Sequence, residues 1–298
     1  MKQNRFYGLL LSGAFFLSAG VCVGQKALEK RMEEIVKSAR AEVGVAVLNL
    51  KTNQLTTLNT DKHLPMQSVY KFHLALAVLH EIDKGKLSLE QKILVKKSDL
   101  LPNLWSPMRE KYPEGNVELP LREILKYTVA ESDNVGCDLL FKLVGGPKIV
   151  NDYIHGLGIK DVAIANNEQE IQGNWSVQFS NWSTATAAVK LLQKFHAQKL
   201  LSKNTQTFLW ETMSNTVTGP NKIKGMLPKG TLVVHKTGYS GAKEGVVAAT
   251  NDIGVVQLPN GDTFAIAVFV TNSQENEKTN DGLIAQISKA AWDYFLAQ

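Results

Sequence analysis

The sequence predicts a mixed fold, α/β plus all-α, in which an antiparallel sheet is flanked by helices and a helical lobe is inserted into it. Strand-like runs of apolar residues lie near both ends of the chain, at 43–58 and at 232–271. The residues between them have mostly helical spacing. If strands from both ends share one sheet, the helices between them must form an insertion.

The elements follow in order along the chain. A helix is predicted at 27–40, and two strands around a turn are predicted at 43–50 and 54–58. Apolar periodicity then predicts helices at 69–84, 121–130, 134–144, 148–157, 183–197 and 204–214. Strands are predicted at 232–236, 246–258 and 264–271, and a closing helix at 283–296.

These elements predict two lobes. Residues 25–61 and 216–298 would form an α/β lobe, and residues 62–215 an all-helical lobe. Within the helical lobe, residues at about 161–181 have little periodicity and many amides, which indicates a long loop. A cleft between the lobes is the expected place for a functional site.

Composition and charge are those of an ordinary globular protein. Of 298 residues, 44% are hydrophobic and 20% are charged, so the chain can bury a core and is not of the disordered class. The formal charge is +5, but lysine and arginine are spread along the chain without a basic run among aromatic residues. We therefore expect no nucleic-acid partner.

Residues 1–24 are interpreted as a signal peptide. Lys2 and Arg5 precede an apolar stretch at 7–23, and Cys22 and Gly24 place small side chains at the two positions that signal peptidase reads. We expect cleavage after Gly24, a periplasmic or secreted protein, and no membrane contact after cleavage. A lipoprotein anchored at Cys22 is the alternative.

Ser68 and Lys71 carry the strongest chemical signal, at the start of the helix predicted at 69–84. Three residues are nearly one helical turn, so the hydroxyl and the amine share a face. A hydroxyl beside a base is the minimum set for nucleophilic catalysis. The pair alone is weak evidence, because serine is a common helix cap and lysine is common in helices.

Two triplets strengthen this signal. Ser132-Asp133-Asn134 begins a predicted helix, and Lys236-Thr237-Gly238 ends a predicted strand. Each triplet alone is more simply a helix cap or a strand end. The order SxxK, SDN and KTG along one chain is, however, a specific combination.

On these motifs the sequence resembles the class A serine β-lactamases over essentially its whole length after the leader. It is most similar to their extended-spectrum PER/VEB-type branch, judging from Met66-Gln67-Ser68, residues 132–138 and residues 235–238. The resemblance implies a β-lactamase/transpeptidase-like fold and hydrolysis of the lactam amide of penicillins and cephalosporins, which gives antibiotic resistance. It also implies a monomer that acts on a small-molecule β-lactam.

Class A enzymes carry a glutamate on an Ω-type loop, followed four residues later by an amide side chain. Glu168 takes the glutamate position, and Gln172 takes the amide position in place of the more usual asparagine. Glutamine can still hold a water molecule by hydrogen bonds. Glu170 is the alternative glutamate, but its spacing to Ser132 and Lys236 fits the family less well.

The resemblance implies catalytic roles for four residues. Ser68 would attack the lactam carbonyl and form an acyl-enzyme, while Lys71 and Glu168 share the role of base. Ser132 would relay a proton to the leaving nitrogen. Glu168, with Gln172, would then activate the water that releases the product.

Substrate-binding roles are implied in the same way. The backbone N–H groups of Ser68 and Tyr239 would form the oxyanion hole. Asn134 would bind the substrate's side-chain amide, and Lys236 would hold the substrate carboxylate with Thr237 or Ser240. Gly238 belongs to the same strand. Trp105 is either a wall of the cleft or a packed aromatic of the helical lobe.

Two positions depart from the family pattern. Asp138 stands where many relatives have an asparagine that braces the Ω-loop glutamate. A second carboxylate near Glu168 should raise one of the two pKa values or change the loop path, so we expect an altered loop and a wider cleft that suits bulky cephalosporins. No arginine near Gly245 supports the substrate carboxylate, and Lys222 is the nearest substitute.

Other chemistries lack their motifs. The six histidines are scattered without metal-ligand spacing, and no phosphate loop or dinucleotide fingerprint occurs, so we expect no metal and no cofactor. Cys137 is interpreted as a small buried hydrophobe. A DD-peptidase (penicillin-binding protein) or a non-hydrolysing β-lactam sensor would share the three motifs, and Glu168 argues against the peptidase.

Overall fold

The structure is a computed structural model that describes residues 26–298. The predicted signal peptide at 1–24 lies outside the described residues. No helix within 26–298 has the length and apolar character needed to cross a bilayer.

One antiparallel sheet forms the centre of the fold. Its strands lie in the order β2-β1-β11-β10-β8, and β9 pairs with part of β10. Strands from the two ends of the chain meet directly, since Val45 of β1 pairs with Val268 of β11. The predicted return of the chain to one sheet is therefore confirmed. The strands are β1 (Glu42–Asn49), β2 (Leu55–Leu58), β8 (Val233–Tyr239), β9 (Ala242–Lys243), β10 (Val246–Gln257) and β11 (Thr263–Ser273).

The alternation of side chains along the strands divides the core in two. On one face, Val45, Ile266 and Val268 pack with the first helix, α1 (26–36), and the last helix, α10 (Glu277–Leu296). On the other face, Ala265 and Ala267 pack against the helices of the inserted segment. Both faces are buried because successive residues of a strand point to opposite sides.

The inserted segment surrounds a central helix, α2 (Tyr70–Asp83), whose first ten residues are all buried. A helix that is apolar on every side is expected at the centre of a lobe. The other helices are α3 (Pro107–Lys111), α4 (Leu121–Ala130), α5 (Asn134–Val144), α6 (Pro147–Gly156), α7 (Glu168–Gly173), α8 (Ala185–His196) and α9 (Lys203–Ser214).

The inserted segment is not all-helical, which corrects one expectation. Five short strands lie within it, and they form a two-stranded antiparallel sheet and a small three-stranded sheet. Strands of two to four residues carry too little periodicity to be recognised in the sequence. These strands are β3 (Leu64–Pro65), β4 (Lys92–Val95), β5 (Val117–Pro120), β6 (Val162–Ala163) and β7 (Trp182–Ser183).

The predicted loop at 161–181 also contains more structure than expected. The helix α7 lies within it, followed by a 3₁₀ segment at Trp175–Ser180. In addition, β8 continues to Tyr239, and α10 begins at Glu277, six residues before the predicted start. The first turn of α10 contains acidic and amide residues, so apolar periodicity did not predict where the helix begins.

Candidate active site

Ser68 lies in a 3₁₀ turn, Gln67–Val69, which leads directly into α2. The hydroxyl does not cap the helix, in contrast to the common role of serine at this position. Gln67 has a φ of 47°, in the left-handed region that is unusual for a residue with a side chain. This strained residue fixes the direction in which the chain presents Ser68.

A pair of glutamines supports the strained turn. The amide of buried Gln67 donates a hydrogen bond of 2.5 Å to Gln178, whose own amide donates to the Trp175 carbonyl. The N–H of Met66 donates to the carbonyl of Asn181. The segment before Ser68 is therefore tied to the loop that carries Glu168.

Lys71 is fully buried and lies among four oxygens. Its Nζ is 3.0 Å from Ser68 Oγ, 2.8 Å from the Ser132 carbonyl and 2.5 Å from Asn134 Oδ1. Glu168 Oε1 lies 3.0 Å from the same nitrogen, and its side chain is also almost wholly buried. An ammonium has three N–H groups, so four oxygens compete for them. Lys71 therefore connects the serine hydroxyl to a buried carboxylate.

Ser132 is held in place by its neighbour in the SDN triplet. Ser132 has a φ of 60°, and Asp133 caps α5 by accepting from the Gly136 N–H at 2.7 Å. The other carboxylate oxygen of Asp133 accepts from Ser106 and from the Met108 N–H. Asp133 is thus a buried structural residue, and its bonds aim Ser132 and Asn134 at Lys71.

Lys236 joins the KTG strand to Ser132. Its Nζ donates to Ser132 Oγ and to the Thr237 carbonyl, each at 3.0 Å. Burial lowers the pKa of Lys236 well below its ordinary value, and the nearby charge of Lys71 lowers it further. A lysine in this state gives up a proton more readily than a solvated one.

Asp138 supports Glu168 through the backbone. Its two carboxylate oxygens accept from the N–H of Glu168 at 2.8 Å and the N–H of Gln169 at 3.0 Å, at the N-terminus of α7. Burial raises the pKa of Asp138 to about 6, the two N–H bonds oppose this rise, and the charge of Glu168 adds to it. One carboxyl pKa is therefore raised, as expected, but its main cause is burial and not the charge of the second carboxylate. An altered loop path and a wider cleft stay predictions.

Glu170, the alternative glutamate, points elsewhere. Its carboxylate accepts from the Asn167 N–H at 2.9 Å and so completes a capping box at the start of α7. Only Glu168 of the two contacts Lys71 in the described structure.

A cavity of about 630 Å³ opens in front of these groups. Lys71, Glu168 and Lys236 are buried behind its wall, while the other predicted site residues line it. Those lining residues are Ser68, Trp105, Ser132, Asn134, Gln172, Thr237, Gly238, Tyr239 and Ser240. The structure thus brings the predicted residues together. Trp105 is 59% exposed, which favours a cleft wall over a packed aromatic.

The hydroxyls proposed for the substrate carboxylate are already hydrogen-bonded. Thr237 Oγ1 lies 2.6 Å from Thr218 Oγ1, and Ser240 Oγ bonds the Gly241 carbonyl and the Ala249 N–H. Lys222 is buried at the same wall, where its Nζ donates to the Gly238 carbonyl at 3.3 Å. Lys222 therefore lies beside β8, where a second cation that supports the substrate carboxylate is expected.

Sequence reasoning missed several residues of the cavity wall. Thr218, Pro220, Glu277 and Asp281 line it, although none belongs to a recognisable motif. Only the folding of α10 beside β8 brings Glu277 and Asp281 there. Cys137 is free and buried, as interpreted. Within residues 26–298, no three histidine, cysteine or carboxylate side chains gather into a possible metal site.

A serine hydroxyl bonded to a buried lysine, in a cavity with a second serine–lysine pair, is the arrangement of a serine enzyme that forms a covalent intermediate. The comparisons with known proteins identify the family to which this enzyme belongs. The family model of the β-lactamase enzyme family matches residues 27–295. The chain therefore belongs to the β-lactamase enzyme family, and it is a class A serine β-lactamase.

Individual relatives cover almost the full chain. β-Lactamase VEB-1 of Pseudomonas aeruginosa is 45% identical over 99% of this chain and 99% of its own length. Extended-spectrum β-lactamase PER-1 of the same species is 44% identical over 90% of this chain and 87% of its own. The crystal structure of TLA-1 extended-spectrum β-lactamase superposes with a TM-score of 0.90 at 51% identity, covering 92% and 99% of the two chains. The resemblance to the PER/VEB-type branch and the predicted fold class are confirmed.

Proposed function

We propose that the protein hydrolyses the lactam amide of penicillins and cephalosporins through an acyl-enzyme on Ser68, and thereby gives antibiotic resistance. The observation that carries this proposal is the contact of one buried nitrogen, Lys71 Nζ, with both Ser68 Oγ and Glu168 Oε1 at 3.0 Å. That contact offers a path for the serine proton to a carboxylate. An activated hydroxyl facing a cavity is suited to attack on an acyl carbon.

In acylation, Lys71 and Glu168 act together as the base. As Ser68 Oγ bonds the carbonyl carbon, Lys71 Nζ gives one of its protons to the Glu168 carboxylate, 3.0 Å away, and takes the proton of Ser68. The serine proton is thereby transferred to Glu168, and Lys71 stays an ammonium. The backbone N–H groups of Ser68 and Tyr239 receive the developing oxyanion.

Ser132 completes acylation by protonating the leaving nitrogen. When the C–N bond breaks, the Ser132 hydroxyl donates its proton to that nitrogen and takes one from Lys236, 3.0 Å away. The lowered pKa of Lys236 supports this transfer, because it makes the ammonium a stronger acid. The proton taken from Ser68 then returns to Lys236, so that Lys236 is again a cation and Glu168 is again a carboxylate before deacylation.

Deacylation depends on Glu168. Its carboxylate takes a proton from a water molecule positioned with Gln172, the hydroxide attacks the ester carbon, and Ser68 leaves with a proton returned through Lys71. Asp138 is a positioning residue in this step, since it fixes the backbone of Glu168 and not its carboxylate.

Substrate recognition uses both sides of the cavity. Asn134 keeps its Oδ1 on Lys71, which leaves the amide NH₂ to bind the substrate's side-chain carbonyl. Lys236, Thr237 and Ser240 hold the carboxylate, with Lys222 as a nearby cation. Since PER-1 and TLA-1 are named extended-spectrum enzymes, we infer that bulky cephalosporins are substrates here too.

We further infer that the mature protein is a periplasmic monomer, made after removal of residues 1–24, and that it has no nucleic-acid partner. The composition of the leader and the scattered positive charge support this inference. A single peak at the monomer mass on size-exclusion chromatography with light scattering would support the monomer, and a dimer mass would contradict it.

Ser68→Ala tests the nucleophile. The variant keeps the fold but lacks the attacking hydroxyl, so steady-state turnover of a chromogenic cephalosporin should fall by at least about 10³-fold. Ser176→Ala is the control and should keep nearly full turnover. It removes an exposed hydroxyl in the 3₁₀ segment Trp175–Ser180, which follows α7. Retained turnover in the Ser68 variant would show that another group attacks the lactam.

A further inference from the structure

The catalytic cavity adjoins a second cavity of about 600 Å³. Glu277 and Asp281, one turn apart at the start of α10, belong to the walls of both cavities. Small and apolar residues, Met226 and Ala285 among them, line much of the second cavity. A substituent that extends from the catalytic cavity would therefore pass two carboxylates and reach an apolar surface.

Negative charge predominates at this junction. Burial lowers the pKa of Lys222, whereas three carboxylates, those of Asp281, Asp252 and Glu277, raise it. Lys222 can balance only part of their charge. Lys278, at the edge of the second cavity, is exposed like Glu277, so water screens both of these charges. The buried carboxylates of Asp252 and Asp281 are screened less.

Asp281 has an oxygen without a hydrogen bond. The residue is only 7% exposed, and within residues 26–298 its buried Oδ1 has no hydrogen-bond partner. Lys222 Nζ lies 3.9 Å from this oxygen, which is an ion pair but too long for a hydrogen bond. A buried carboxylate left in this state is unfavourable, and a further cation would stabilise it.

An aromatic ring completes the junction. Tyr239 is 43% exposed, and its ring centroid lies 5.8 Å from Lys222 Nζ. Tyr239, Glu277 and Asp281 line the same cavity. Burial raises the pKa of the Tyr239 phenol, and the charges of the two carboxylates raise it further. An aromatic face beside carboxylates is suited to an organic cation.

We propose that Tyr239, Glu277 and Asp281 form a subsite for a cationic substituent on carbon 3 of a cephalosporin. The inference rests on the proposed function, which puts the substrate carboxylate on β8 at Lys236–Ser240. In a cephalosporin, carbon 3 is bonded to the carbon that bears this carboxylate, so its substituent leaves the ring system beside Tyr239. A pyridinium or N-methylpyrrolidinium ring has a positive charge and apolar carbon atoms. The charge would lie near the carboxylates of Glu277 and Asp281, and the carbon atoms would contact the apolar second cavity.

Two cephalosporins with the same aminothiazole-methoxyimino side chain at carbon 7 test the subsite. One carries a neutral acetoxymethyl group at carbon 3, and the other carries an N-methylpyrrolidinium-methyl group. Glu277→Gln should lower kcat/KM for the cationic compound roughly threefold, and its combination with Asp281→Asn roughly tenfold. The effect should lie in KM, while kcat/KM for the neutral compound changes less than about twofold.

Asp293→Asn is the control, because it removes one negative charge from α10 at an exposed pair with Lys289. It should leave the ratio of the two kcat/KM values unchanged. Glu277 is exposed, so its variant should fold even if Asp281→Asn does not. An unchanged ratio in Glu277→Gln would overturn the subsite. Failure of the unmodified protein to hydrolyse the neutral compound would instead overturn the proposed function.

Discussion

At the scale of single residues, Asp138 shows how a departure from the family pattern is accommodated. A carboxylate beside Glu168 would repel it if the two side chains met, but Asp138 instead binds two backbone N–H groups at the start of α7. The helix N-terminus favours a negative charge there, while burial disfavours it. Burial prevails, because the pKa of Asp138 is raised to about 6.

The raised pKa predicts a pH dependence of stability. In the unfolded chain the Asp138 carboxyl has a pKa of about 3.9, so between pH 4 and 6 the folded protein binds more protons than the unfolded one. The free energy of unfolding should therefore decrease as pH rises through this window, by at most about 3 kcal/mol from this residue.

Urea unfolding of the unmodified protein and of Asp138→Asn, at several values between pH 4 and 7, isolates this contribution. Asparagine keeps an acceptor for the Glu168 N–H but does not titrate. The stability of the unmodified protein relative to the variant should fall as pH rises. Parallel profiles for the two proteins would show that Asp138 titrates normally.

At the scale of elements, the close approach of β8 to the turn before α2 positions Ser68. A Cβ on Gly238 would lie 2.5 Å from the Met66 carbonyl oxygen and 3.1 Å from Gln67 Cβ. Neither atom can move freely, because one is backbone and the other belongs to the strained Gln67. The glycine of the KTG motif is thus required for the strand to pack against the serine turn.

Gly238→Ala should therefore displace the turn, with a loss of about 1–3 kcal/mol in unfolding free energy and at least about a tenfold loss of kcat. Gly156→Ala, in α6, is the matched control, since nothing lies within 4 Å of its added Cβ. The control should be as stable and as active as the unmodified protein. Equal behaviour of the two variants would mean that the close approach does not hold Ser68.

The same elements show what could be predicted from sequence. The long helices and central strands carry clear periodicities, and the one-turn spacing of Ser68 and Lys71 depends only on local geometry. The helix α7 has six residues, and beside its local capping box its first two N–H groups donate to Asp138, thirty positions earlier in the chain. Such a contact, like the left-handed Gln67, depends on tertiary structure and leaves no local signal.

At the scale of the whole molecule, the candidate active site lies where the sheet meets the inserted segment. Ser68, Lys71 and Glu168 come from the insertion, whereas Lys236 comes from β8 of the sheet. The bond from Lys236 to Ser132 joins the two parts. The cleft therefore depends on how the whole chain packs, although the motifs that line it are short.

The central claim is that Glu168 drives release of an acyl group from Ser68, and mass spectrometry of Glu168→Ala after mixing with a cephalosporin tests it most directly. The account predicts a long-lived covalent adduct on Ser68, because acylation continues through Lys71 while deacylation loses its base. Glu170→Ala, which loses only a helix cap, should turn over without accumulating an adduct. Rapid steady-state turnover by the Glu168 variant, with no adduct, would contradict the account.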